Sequence, residues 1–218
     1  MKKDLCELVV IIDESGSMGS VVSDTIGGFN TFLNTHKKLP GEAKLTLVKF
    51  DTSYNIVHNG TNIKDVEALN EKTYYPSGMT ALLDATGKTI DEVGKRLSST
   101  PIEERPEKVI VMIITDGEEN SSKEYKKDKI KKMIEHQQDN YKWEFVFMGA
   151  DQDAWSNAQH MGMKNYVNFS QADMGKTFRG MAYYSSNSRI KSEDTSLDNF
   201  QLSEDELNEK LDELTKDK

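Results

Sequence analysis

The first apolar run, 5–12 (LCELVVII), shows no period and predicts a strand buried on both faces. Residues 20–37 change to helical spacing, with Val21, Val22, Ile26, Phe29, Phe32 and Leu33 on one side. Pro40-Gly41 breaks the chain. Residues 44–50 (KLTLVKF) then alternate like a half-exposed strand, and 54–58 (YNIVH) pair beside it as a hairpin. A polar connection over 61–79 holds one short helical stretch near 66–69. The spacing of Leu82, Leu83, Thr86, Ile90, Val93 and Leu97 predicts a helix over 80–98.

After a loop at 99–107 with two prolines, 108–114 (KVIVMII) is the strongest buried-strand signal. A lysine-rich helix at 123–138, a strand at 142–149, a helix at 151–161, a strand at 165–169 and a helix at 173–186 follow. Strands alternating with helices predict a doubly wound α/β domain. Its central sheet is mostly parallel with one antiparallel edge strand, and helices cover both faces. The domain is expected over 1–190, with Trp143 and Trp155 beside the sheet.

The stretch 191–218 differs in character. From 192 onward it holds ten acidic residues against three lysines, and its large apolar groups are Leu197, Phe200, Leu202, Leu207, Leu211 and Leu214. A mobile acidic tail with a marginal amphipathic helix at 203–215 is expected, removable without loss of the fold.

A length of 218 residues suits one substantial α/β domain with a short appendage. The net charge of −9 argues against a nucleic-acid partner, because phosphate contacts need a basic face. Cys6 stands alone and forms no internal disulfide. The early apolar run is too short for a signal-peptide core, and no segment reaches the length of a membrane span, so a cytoplasmic protein without membrane contact is expected. The four histidines lie apart, without zinc-ligand spacing.

Candidate chemistry sits where strands end. Asp13-Glu14-Ser15-Gly16-Ser17 follows the first strand, Thr115-Asp116-Gly117 follows the 108–114 strand, and Thr80 lies in a loop that opens a helix. In an open α/β sheet, ligands bind outside the carboxyl ends of the strands. The candidate metal ligands are Asp13, Ser15, Ser17, Thr80 and Asp116. Two carboxylates and three hydroxyls offer oxygen alone, which favours a hard divalent ion such as Mg²⁺, with Mn²⁺ or Ca²⁺ as alternatives. The competing assignment is helix capping, since Ser, Thr and Asp are preferred N-caps.

The DESGS string at 13–17, with GMT at 78–80 and TDG at 115–117, resembles the three site segments of von Willebrand factor A domains, in order and spacing. The stretches DTIGGFNTFL, GEAKLTLVKF, GMTALLDATGKTI and MGADQDAW are most similar to intracellular bacterial and bacteriophage members. The resemblance implies the Rossmann-like fold of that family and a metal-ion-dependent adhesion site. It implies Ser15, Ser17 and Thr80 at the ion, and the two aspartates often acting through water. It also implies an interaction module, not an enzyme, that captures an Asp or Glu of a protein partner at the open coordination position. The alternative is a regulatory or bridging subunit of an ATPase-coupled chelatase or remodelling complex.

Other signals carry less. Gly-Lys-Thr at 87–89 and 175–177 lacks the first glycine of a phosphate loop. Asp13 as a phosphoryl acceptor lacks a second acid at Ser15 and an evident lysine. Lys123, Lys126, Lys127, Lys129, Lys131 and Lys132 form a solvated stripe or a docking surface for an acidic partner, including the chain's own tail. Glu118 and Glu119 either repel acidic partners or fill the open metal position.

Overall fold

The computed structural model describes residues 1–149, 158–168, 173–190, 197 and 201–216. Strand β1 (Lys2–Asp13) pairs in parallel with β2 (Glu42–Phe50) on one side and with β4 (Pro106–Thr115) on the other. The edge strand β3 (Tyr54–Asn62) runs antiparallel to β2, while β5 (Glu144–Gly149) and β6 (Asn165–Asn168) extend the sheet in parallel beyond β4. The order is β3-β2-β1-β4-β5-β6. This is the doubly wound sheet that the sequence predicts.

Alternate residues of each strand feed two cores. Leu8, Val10, Ile12, Ile110, Met112 and Ile114 face one side, packed with Phe29, Phe32 and Leu33 of α1 (Val22–Lys38) and Phe178 and Met181 of α4 (Met174–Ile190). Val9, Ile11, Val111 and Ile113 face the other, packed with Leu82, Ile90 and Val93 of α2 (Leu82–Ser99) and Ile130 and Ile134 of α3 (Lys127–Tyr141). Burial on both faces explains why β1 and β4 read as continuous apolar runs. β2 is buried too, not half-exposed, because a helix layer covers each of its faces.

Two local expectations change, each through a distant side chain. The short helical turn falls at Ile63–Asp65, and 66–69 has no regular structure; the Asn30 amide takes both backbone groups of Leu69, at 2.9 and 2.8 Å. Helix α3 starts at Lys127 instead of 123, because the Asp84 carboxylate accepts the N–H groups of Lys123, Glu124 and Tyr125 at 2.8–2.9 Å and holds them as a loop. Gly87 lies inside α2, where a Cβ would meet the Tyr125 ring at 2.2 Å, so its glycine serves packing instead of a phosphate loop. Of the helix expected at 151–161, residues 158–161 are described, with 158–160 helical and Met161 in a turn. Trp143 is buried, and Trp155 lies outside the described residues. No described helix is long and apolar enough to cross a membrane.

The acidic C-terminal segment does not stand clear of the domain as its composition suggested. Its helix α5 (Glu204–Lys216) lies against α4 and α1 and buries Leu207 and Leu211, an i, i+4 pair on one face. Ser203 and Glu206 close a capping box at its start, with the Ser203 N–H donating to Glu206 Oε2 at 2.8 Å. Arg179 of α4 holds it from the side, donating to Asn208 Oδ1 at 3.1 Å and pairing with Glu204 at 3.2 Å. Burial of two leucines overrides a weak helix propensity. Leu207→Ala is therefore expected to cost about 2–5 kcal/mol of unfolding free energy in urea titrations, the usual range for a buried leucine. An unchanged midpoint would show that α5 adds nothing to the domain.

Candidate metal centre

The strand order creates a switch point between β1 and β4. The chain leaves β1 toward β2 and β3, then returns with β4 on the other side. The carboxyl ends of these two central strands carry Asp13 and the Thr115-Asp116-Gly117 turn, at the place where open α/β sheets bind ligands.

Asp13 ends β1 with its side chain buried. Its Oδ1 accepts the Ser15 N–H at 2.7 Å, and its Oδ2 accepts the Thr115 hydroxyl at 2.5 Å. Ser15 Oγ lies 3.0 Å from Ser17 Oγ, and Ser17 Oγ donates to Asp116 Oδ1 at 2.7 Å. The third segment is locked to the second. The Thr80 N–H donates to Asn120 Oδ1 at 2.9 Å, and its carbonyl accepts the N–H groups of Asn120 and Ser121 at 3.0 and 3.2 Å.

The segments meet beside Gly117. A Cβ at that residue would lie 2.9 Å from Thr80 Oγ1, 3.2 Å from Ser17 Oγ and 3.8 Å from Asp13 Oδ2. The structure thus places Asp13, Ser17 and Thr80 around one point, with Ser15 and Asp116 joined to them through the Ser17 hydroxyl. Capping does not account for the arrangement. Ser15 precedes the 3-10 turn Gly16–Val21 without a side-chain capping bond, and α2 is capped by Glu119 in place of a serine or threonine of the site.

The donor set fits a small hard cation. All five groups offer oxygen, and the cradle stays open because residue 117 has no side chain. Among the described residues, no group of three or more His, Cys, Asp or Glu side chains gathers around a point. The candidate centre is therefore built on two carboxylates and three hydroxyls. Burial pushes the Asp13 carboxyl up to about 6; hydrogen bonds from Thr115 and Ser15 oppose this, and the nearby Asp116 charge adds to it.

Several residues that the sequence left unassigned shape this centre. Glu14 pairs with Lys49 at 2.7 Å and accepts the Tyr75 N–H at 2.6 Å, while Lys49 also donates to the Thr73 carbonyl at 2.6 Å. That pair ties β1, β2 and the 73–79 loop together, and it leaves Lys49 committed elsewhere than to a phosphoryl group on Asp13. Tyr74 donates its hydroxyl to the Asp13 carbonyl at 2.7 Å. Glu119 accepts from the N–H groups of Leu83, Ser121 and Ser122 at 2.8, 3.0 and 2.8 Å, which commits it to those loops and speaks against one of its two expected roles, that of filling the open position. Glu118 is exposed. The lysines of the 123–132 stripe are exposed, and α5 lies against α1 and α4 on the other side of the sheet from α3. The chain's own acidic helix is not the partner of that stripe.

A family model described as von Willebrand factor type A domain matches residues 7–181. No curated protein matches the chain significantly. Among solved structures, a von Willebrand factor type A protein from Catenulispora acidiphila aligns with a TM-score of 0.53 and 15% identity, covering 81% of this chain and 41% of that one. The vWF domain of the type V pili tip protein Mfa5 from Porphyromonas gingivalis aligns with a TM-score of 0.60 and 12% identity, covering 87% and 98%. Proximal thread matrix protein 1 from the mussel byssus, with a zinc-occupied MIDAS motif, gives 0.54 and 14%, covering 81% and 44%. At such identities the likeness shows the fold. The chain spans less than half the length of the first and last of these.

Metal and pH should act on stability together. A folded-state carboxyl raised from about 4 to about 6 binds its proton more tightly than in the unfolded chain, so stability falls as pH rises through that window. Above it the metal-free fold carries a cost of about 3 kcal/mol at Asp13. A bound divalent cation offsets that cost and competes with the proton. Thermal midpoints should therefore rise by several degrees with Mg²⁺ over chelator at about pH 7.5, and by less at about pH 5. Asp13→Asn should stabilise the chelated protein at the higher pH and erase the Mg²⁺ increment. Identical midpoints with and without Mg²⁺ in the natural protein would count against a formed centre.

Proposed function

The chain belongs to the von Willebrand factor type A family, and from that premise we propose that it is a divalent-cation-dependent protein-interaction module and not a catalyst. Asp13, Ser15, Ser17, Thr80 and Asp116 would hold one ion, best matched by Mg²⁺. The ion would supply a +2 charge with an open coordination position for an Asp or Glu carboxylate of a protein partner. The observation that carries this reading is the meeting of oxygens from three separate segments beside Gly117. The zinc-occupied motif of the mussel relative supports a metal at the same place in the fold. The hard oxygen donors of this chain argue for Mg²⁺ over zinc, which takes nitrogen and sulfur more readily.

The chain's own groups do the selecting. Asp13 and Asp116 balance the formal charge of a divalent ion, so a third carboxylate approaches a neutral centre and not a negative one. Three hydroxyls supply lone pairs without adding charge. Thr115 holds Asp13 Oδ2 in a fixed orientation at 2.5 Å, the outer support that a metal-binding carboxylate needs.

Mn²⁺ titration followed by water proton relaxation tests the ion and the open position together. Asp116→Ala should abolish tight binding. Thr115→Val, which touches no ion, should weaken binding about tenfold to a hundredfold by freeing Asp13. Adding an aspartate-containing peptide should lower the relaxivity of the loaded protein by displacing bound water, and the asparagine version should not. Relaxivity indifferent to both peptides would remove carboxylate capture, and Mn²⁺ binding unchanged in Asp116→Ala would remove the site.

A further inference from the structure

The surface around the metal centre carries an apolar feature that ion binding does not need. Tyr75 is 75% exposed and Met79 is 52% exposed, and both lie on the loop that delivers Thr80. The other large apolar side chains exposed among the described residues are Met1, Val57, Ile102, Tyr141, Tyr166 and Ile190. Val57 and Tyr166 sit on edge strands; Met1, Ile102 and Tyr141 lie just before β1, β4 and β5, and Ile190 ends α4 beside the start of β2, all at the opposite end of the sheet. Tyr75 and Met79 are thus the exposed large apolar groups that the described loops place at the metal-binding end.

Their loop is held rigidly. The Tyr75 N–H donates to Glu14 Oε1 at 2.6 Å, and the Ser77 N–H donates to the Glu14 carbonyl at 2.7 Å. The Met79 N–H donates to Thr52 Oγ1 at 3.0 Å, and the Gly78 carbonyl accepts the Gly16 N–H at 3.2 Å. Gly78 adopts φ +68°, and a Cβ there would meet Asp51 Oδ2 at 2.9 Å, so the turn is specific to glycine. A loop pinned on both sides pays little further ordering entropy when a partner covers it. Exposed tyrosine and methionine on a fixed backbone are the residue types enriched at the buried centres of protein interfaces.

Resting on the carboxylate-capture reading above, we propose that Tyr75 and Met79 form an apolar contact beside the metal centre, selecting partners whose captured Asp or Glu has a large apolar neighbour in sequence. The partner segment is then an acidic residue flanked by a leucine-like side chain and not a run of acids. Glu118, exposed two residues after Asp116, disfavours a second carboxylate nearby by like-charge repulsion.

The test uses the full chain loaded with Mg²⁺ and blocked pentapeptides that each hold one aspartate. The aspartate is flanked by glycines only, or by a leucine immediately before or immediately after it. Affinities come from NMR chemical-shift titration. One leucine peptide should bind about tenfold more tightly than the glycine peptide, the value expected from burying one leucine side chain. Tyr75→Ala combined with Met79→Ala should remove that gain, while leaving Mg²⁺ binding and the glycine-peptide affinity within about twofold of the natural protein. Equal affinity of all peptides, or a gain retained in the double variant, overturns the proposal and leaves carboxylate capture standing. If no peptide shifts the loaded protein, carboxylate capture falls and this inference falls with it.

Discussion

The carboxylate of Asp13 is the constraint around which the rest of the structure is arranged. It stands buried at the end of a strand whose other residues from Leu5 onward are buried as well. Its partners are a hydroxyl and a backbone N–H, and no lysine or arginine pairs with it among the described residues. A buried carboxylate held by neutral donors alone is costly at neutral pH, and burial raises its proton affinity accordingly. A fold that needed only a turn after β1 would avoid that cost with an apolar or amide side chain. The position makes physical sense as one half of a cation site.

The other acids around the same end of the sheet are handled differently. Glu14 is neutralised by Lys49. Asp84 works against burial by accepting three backbone N–H groups, which hold its carboxyl below the usual range. Glu119 accepts the N–H groups at the start of α2 and in the 121–122 turn. Asp51 accepts from Ser53 N–H at 2.5 Å and from the Ser77 hydroxyl at 3.1 Å. Each of these carboxylates is used to fix a loop, and each points its charge into donors. Asp13 and Asp116 are instead joined to the hydroxyls of Thr115 and Ser17, and together they bring the two negative charges that one divalent ion balances.

The sequence displayed the parts of this arrangement that are local in the chain. Unbroken apolar runs marked β1 and β4, and the oxygen-bearing turns directly after them marked the site. The tripartite motif located Thr80, which no local pattern would have joined to Asp13. What the sequence hid lies in pairings across long separations. Asp84 delays the start of α3 from about 40 residues away, and Asn30 holds the Leu69 backbone out of a helix from 39 residues away. Glu14 stands inside the motif without an assigned role, and only its contacts with Lys49 and the Tyr75 N–H show that it anchors the neighbouring loop. Thr115 was in plain sight beside Asp116, but its hydroxyl turns back to Asp13, a relation set by the parallel register of β1 and β4. The C-terminal helix was legible as an amphipathic pattern. Its docking was not, because two leucines say nothing of the surface that receives them.

The hydroxyl-rich composition of the cradle has a consequence for how it accepts an ion. Ser17 donates to Asp116, Ser15 lies within hydrogen-bond reach of Ser17, and Thr115 donates to Asp13. These bonds link the donor groups of two segments, 13–17 and 115–117, directly to one another. Turning a serine hydroxyl from donor to ligand needs only rotation of its proton, since the oxygen already faces the cradle. Two serines replaced by carboxylates would place four negative charges within a few ångströms, and the site would then be fully compensated by its own ligands only with more than one divalent ion. On the proposed reading, hydroxyls would keep the ion electron-poor, and such an ion with an open position would attract one more carboxylate. Gly117 completes the arrangement by leaving empty the volume in which any side chain would sit against Thr80 and Ser17.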